Sequence, residues 1–293
     1  MTNYILSCCS TADLTQEKFD ELDVKFCQFH FSVNDVEYPD DLGKSYPFEK
    51  FYNDMEKGAM TKTSQLSIGQ YTDYFEQFLS EGKDILHCTL SSGLSGTIQS
   101  ATIAADALKE KYPERKIIII DSLAASSGFG LFMAMLSKKR AEGASIEECA
   151  KYAEEIKLNV NHWFFSTDLK YYVRGGRISK ASGFIGSILH ICPLLNVSNE
   201  GRLIPREKII SEKKVQKVIV DRMIQNADGG KDYDGICYIS HSNCPSFVEG
   251  VLKHIENNFP NLKGKVEVFS IGTTIGAHTG PGTVALFFMG KQR

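Results

Sequence analysis

The chain has no block of lysine and arginine. Its 293 residues carry 33 Lys+Arg against 36 Asp+Glu, and "KKR" at 138–140 closes a predicted helix, where cations suit the dipole. The electrostatic footprint of a nucleic-acid binder is absent. No apolar run is long enough to span a bilayer. The start, "MTNYILSCCS", lacks both the basic opening and the long apolar stretch of a signal peptide. Its "ILSC" has no hydrophobic region before it that would suit lipoprotein processing. These absences predict a cytoplasmic protein. The eight cysteines, at 8, 9, 27, 88, 149, 192, 237 and 244, then read as reduced thiols, and no two form C-x-x-C. The nearest approach to a metal motif is His241 with Cys244, one short pair with no second half. We expect no metal and no cofactor.

What is there reads as α/β. The length exceeds one ordinary core, so two domains are expected. Residues 1–160 alternate strands with helices, the pattern of a parallel doubly wound sheet with helices on both faces. "VKFCQFHFSV" alternates apolar residues as a strand, and "ND" turns it back toward "VEYP", a small hairpin insertion near 24–50. "KIIII" is a continuous apolar run, as expected of a strand covered on both faces. Ser145 and Glu148 have capping-box spacing. Residues 161–293 have another rhythm: a strand in "HWFFST", a helix in "FIGSILHICPLL", a hairpin turned at 199–201, and strands and helices ending on "TVALFFM". That predicts a mixed sheet with helices on one face, and a ligand cleft between the two domains.

Four polar stretches stand out against this frame. "SSGLSGT" (91–97) joins a buried strand to an amphipathic helix. A nucleotide-type phosphate loop would need lysine after the last glycine, and here Thr97 follows Gly96. A nucleophile elbow, G-x-S-x-G, is broken because the second glycine comes one place early. A hydrolase triad of Ser95 with Asp121 and His278 remains open in space. The hydroxyls and glycine amides at a helix start also suit a carboxylate, or they merely cap the helix. In "MTKTSQLS" (60–67), Ser67 is a plausible cap, which leaves Thr63, Ser64 and Gln65 unexplained. "RGGRIS" (174–179) brings Arg177, whose guanidinium fork fits an anion. "IGTTIGAHTGPG" (271–282) places His278 and Thr279 in a connection richer in special residues than a plain loop needs.

Together these stretches resemble the DegV family of bacterial proteins. The ordered set runs through "CSTADL", "TSQLS", "SSGLSGTIQSA", "YYVRGGRIS", "ICPLLNVSNEGRL" and "IGAHTGPG", nearly the whole chain. The resemblance implies two α/β domains holding one long-chain fatty acid between them, its carboxylate in a polar nest and its tail in an apolar tunnel. It implies a non-catalytic carrier that presents the acid to a separate ATP-dependent kinase subunit. It gives Thr63 and Ser95 as direct carboxylate donors, with Ser64 beside Thr63, and Arg177, His278 and Thr279 as the wider polar shell. Arg202 falls near the entrance. Cys9, Leu66 and Cys192 stand where the family usually has aspartate, proline and lysine. Tunnel candidates lie in "GFIGSILHICPLL" and "HWFFS", each open to the plainer reading of core packing. No nucleic-acid partner and no membrane span are expected, with transient membrane contact left for ligand exchange. The alternatives are a serine-dependent lipid hydrolase or acyltransferase using Ser95, and an enzyme acting on small phosphorylated ketones, whose covalent histidine context is missing.

Overall fold

The apolar runs of the first half pair side by side. In this computed structural model, which describes residues 4–179 and 191–293, β1 (Tyr4–Cys9) and β2 (Val24–Cys27) are parallel neighbours joined through α1 (Gln16–Glu21). With β6 (Asp84–Thr89) and β7 (Ile117–Asp121) they make a parallel sheet in the order β2-β1-β6-β7. Helices α3 (Ile68–Leu79) and α4 (Thr97–Lys111) pack together on this sheet, as do α5 (Ser126–Ala141) and α6 (Ile146–Ile156). Ser67 and Ser145 both close full capping boxes, with Gln70 and Glu148.

One correction concerns residues 24–33, and one strand in 61–64 comes without notice from the sequence. The alternating run 24–33 is not one strand. It divides into β2 and β3 (His30–Val33), which belong to different sheets. At the break the Phe29 N–H donates to Ser10 Oγ, and the Phe29 carbonyl accepts from Asp40. These bonds take the backbone out of the parallel ladder. β3 then turns at Asn34 and Asp35, both with positive φ, into β4 (Val36–Pro39), the two-residue hairpin geometry. The other edge of β3 takes β5 (Thr61–Ser64), a strand that its polar sequence does not announce. Threonine suits an extended backbone, and the ladder to β3 outweighs the lack of apolar residues. Helix α2 (Phe48–Glu56) covers this small sheet, with Phe51 and Tyr52 in a core shared with Phe31.

The second sheet has the order β10-β9-β8-β13-β11-β12. Its strands are β8 (Val160–Ser166), β9 (Ile191–Val197), β10 (Leu203–Ile210), β11 (Cys237–His241), β12 (Glu267–Ser270) and β13 (Thr283–Met289). Only β11 with β12 is parallel among these pairings. Alternation divides its side chains. Phe165, Val284, Leu286 and Phe288 face a core with α8 (Glu212–Asn226) and α9 (Pro245–Asn258). The other face meets α5, which also touches β1. That explains why α5 is apolar almost all round: it is buried between two sheets. Two stretches for which the sequence suggested no helix hold short ones, α7 (Lys170–Arg174) and α10 (Thr273–Thr279), which pack together. The helix expected in 184–195 lies partly outside the described residues, and 191–195 are strand β9.

Candidate functional site

A cavity of about 450 Å³ lies where the inward face of the second sheet meets the first sheet's loops. It is within the range of small-molecule sites. Apolar side chains make much of its wall, among them Phe29, Leu90, Phe164, Val197, Ile275 and Phe287. Strand β5 delivers Thr63 and Ser64, the turn before α4 delivers Ser95, α10 delivers His278 and Thr279, and the segment after α7 delivers Arg177. All six residues singled out from the sequence line this one cavity.

Their bonding is specific. Thr63 Oγ1 lies 2.8 Å from His278 Nε2. Ser95 Oγ donates to Gln65 Oε1 at 2.9 Å and accepts from the Thr97 N–H. Gln65 in turn donates to Ser100 Oγ. Gln65 is the residue the sequence reading left without a role. Its signal was present, since Ser67 capping left it unexplained, but only the fold puts it against Ser95.

Burial pushes His278 down to about 3, helped by the nearby positive charges of Arg177 and Arg174. The ring is therefore neutral near pH 7, and the site's positive charge comes from arginine. His278 Nδ1 is buried without a partner, and a Cβ on Gly175 would collide with it. Glycine at 175 is thus what lets the chain pass so close to the ring. Arg177 uses Nε and Nη2 on the Leu94 carbonyl and Nη1 on the Gly175 carbonyl. Its guanidinium thereby ties the turn before α4 to the segment after α7. Arg174 Nη2 donates to Thr61 Oγ1.

Part of the Ser/Gly loop has a different task. Ser91 Oγ donates to the Gly201 carbonyl at 2.8 Å. A Cβ on Gly93 would stand 2.5 Å from the Glu200 carbonyl oxygen. These two residues dock the loop on the β9–β10 turn and leave Ser95 to the cavity. Arg202, in that turn, is exposed and does not line the cavity, whereas its neighbour Leu203 does. Of the tunnel candidates, His162 and Phe164 line the cavity, Phe165, Cys192 and Leu194 belong to the opposite core, and 183–190 lie outside the described residues.

No Ser–His–Asp relay is assembled. Ser95 is bonded to Gln65 and His278 to Thr63, while Asp121 accepts from the Ser92 and Leu123 amides. The His241–Cys244 pair is also used internally: the Cys244 N–H donates to His241 Nδ1 and its thiol to the Thr283 carbonyl. Away from the cavity, Cys9, Cys27 and His87 come together, a grouping that no sequence spacing announces.

The sequence model of the DegV family, described as an uncharacterised protein family, matches residues 9–291. A DegV domain-containing protein of Clostridium perfringens is 33% identical over 296 residues, covering 100% of this chain and 99% of its own. The fold is similar to a solved Thermus thermophilus DegV family protein, whose structure is described as showing fatty acid binding. It has a TM-score of 0.86 and 26% identity, with 99% of this chain and 100% of that one covered. DegV of Bacillus subtilis, described as a fatty acid binding protein, has a TM-score of 0.81 and 25% identity over 99% and 100% of the two chains.

Proposed function

The chain belongs to the DegV family, and from that premise we propose that it holds one long-chain fatty acid in this cavity and presents it to a separate kinase. The observation that carries the reading is the convergence of Thr63, Ser64, Ser95, Arg177, His278 and Thr279 on a cavity whose other walls are largely apolar. The solved relatives described as fatty acid binding proteins support it.

Burying acyl methylenes is worth about 0.8 kcal/mol each, so a chain of ~15 contributes roughly 12 kcal/mol gross. Association opposes this with about 4–15 kcal/mol. The tail therefore supplies affinity and the head supplies register. A buried carboxylate without partners would be disfavoured by several kcal/mol. Thr63 and Ser95 answer that need. With the ring proton at Nε2, His278 donates to Thr63 Oγ1 and leaves the Thr63 proton free for the carboxylate. Ser95 differs: its one proton goes to Gln65 Oε1 in the free protein, and the hydroxyl turns from Gln65 to the carboxylate when the acid arrives. Arg177, held on the Leu94 carbonyl next to Ser95, adds a positive potential to the cavity.

Neutral donors backed by arginine also tolerate the added charge of an acyl phosphate. That suits a non-catalytic subunit whose bound acid is phosphorylated by an ATP-dependent partner. Among the described residues no helix is long and apolar enough to cross a membrane, and all eight cysteines are free and buried. Both fit a carrier working in the cytoplasm.

Native mass spectrometry of protein purified from cells, followed by organic extraction, tests the first part. One fatty acid per chain is expected. A neutral lipid, or an empty protein that takes up no fatty acid on incubation, refutes it. ATP-dependent acyl phosphate formation by a kinase subunit, present with the carrier and absent without it, tests the second.

A further inference from the structure

Cys9, Cys27 and His87 stand on β1, β2 and β6, three adjacent strands of the parallel sheet. Register brings them together. Cys9 is opposite Cys27, and His87 is opposite Ser7. Ser7 and Cys9 are two residues apart, so they share a face. That face is covered by α3, whose Tyr71 and Phe75 pack against the His87 ring. The two sulfurs and a ring nitrogen lie within 4.8 Å of one another. Cys9 and His87 are 0% exposed and Cys27 is 3% exposed. None of the three lines the cavity described above.

Two observations set this group apart from ordinary packed cysteines. His87 Nε2 is buried with no hydrogen-bond partner. Its other nitrogen, Nδ1, lies 2.7 Å from Ser7 Oγ, which is itself 2.9 Å from the Tyr74 hydroxyl. A metal-binding imidazole commonly has this arrangement: one nitrogen is held by an outer hydrogen bond and the other offers its lone pair.

We propose that Cys9, Cys27 and His87 bind one Zn²⁺ ion. Two sulfurs and an imidazole exclude hard ions such as Mg²⁺ and Ca²⁺, which need oxygen ligands. Two thiolates and a neutral imidazole around a divalent ion leave no net charge, which a buried site requires. Ligands about 2.3 Å from a tetrahedral centre stand roughly 3.5–3.8 Å apart. The group is therefore within about an ångström of a formed site. The Tyr71 hydroxyl lies 3.6 Å from Cys9 Sγ and is also bonded to Thr97 Oγ1 at 2.6 Å, so the three residues leave the fourth tetrahedral position open. Each thiol releases its proton to solvent as the ion binds. The site is closed in the folded protein, so loading accompanies folding. The proposal is independent of the lipid reading.

The test uses the full chain, unfolded under reduction and refolded with or without Zn²⁺, then desalted against a weak chelator. Elemental analysis should find about one Zn²⁺ per chain, falling at least tenfold in Cys9→Ala and Cys27→Ala and unchanged in Cys192→Ala. Refolding the parent with Co²⁺ should give a thiolate-to-cobalt charge-transfer band, which needs no variant to fold. The His87→Gln variant should shift that band or lose it. A parent that folds but retains no Zn²⁺, a soft ion such as Cu(I) retained in its place, or Zn²⁺ that persists in the Cys9→Ala/Cys27→Ala double variant would overturn the assignment.

Discussion

Thr63→Val removes one hydroxyl from the polar corner and little else. In the free protein it breaks the 2.8 Å bond to His278 Nε2. Leaving that nitrogen without a partner should lower stability by about 1 kcal/mol. In the proposed complex it also removes a donor to an ionised carboxylate, a bond worth about 1.5–3 kcal/mol. The dissociation constant for a long-chain fatty acid should rise about 10- to 150-fold. The matching fatty alcohol makes only a neutral bond, so its affinity should fall much less. Preference for acid over alcohol should therefore shrink roughly tenfold. Titration calorimetry on delipidated protein, with both ligands on both proteins, closes the cycle. Equal losses for acid and alcohol would place the head group elsewhere. So would a variant that binds the acid within about twofold of the parent.

Gly175→Ala should push the His278 ring away from Thr63, since the new Cβ has no room beside Nδ1. We expect about 1–3 kcal/mol of lost stability in urea unfolding, together with weaker acid binding. The neutral His278 makes a pH prediction. Its folded pKa of about 3 lies below the ordinary 6.5, so the unfolded chain takes the proton first. Stability then falls as pH drops from about 6.5 toward 3, by roughly 2 kcal/mol from this ring between pH 6.5 and 5. His278→Gln should lack that part of the acid loss. Parallel urea curves with the same pH slope for both proteins would show that the ring is not buried neutral. Ser145→Ala, far from the cavity, removes a capping box. It should lower stability by about 1 kcal/mol and leave ligand affinity unchanged, and a binding defect there would count against the cavity as the site.

Some of this molecule was readable residue by residue. The Ser67 and Ser145 caps, the Asn34–Asp35 hairpin and the strand "TVALFFM" depend on neighbours a few positions away, and the structure contains each of them. Local pattern failed where a distant partner outweighed it. "TKTS" is a strand because β3 offers it a ladder. The run 24–33 breaks because Ser10 and Asp40 take the Phe29 backbone. The stretch 271–282 looked irregular, yet it holds α10, packed on α7.

The site divides along the same line. Sequence by itself put Thr63, Ser95, Arg177 and His278 forward as candidates, with capping and ordinary turn structure still open for them. Tertiary structure alone decided that β5, α10 and two loops would bring them to one cavity, that Gln65 would hold Ser95, and that Arg177 would bond the Leu94 and Gly175 carbonyls. It also decided that Cys9, Cys27 and His87, up to 78 positions apart, would share one face of a sheet. Caps, turns and alternation arise from bonds and sterics within a few residues, so they are written locally. Strand register and loop docking depend on burial shared by the whole chain, and no short window of sequence contains that.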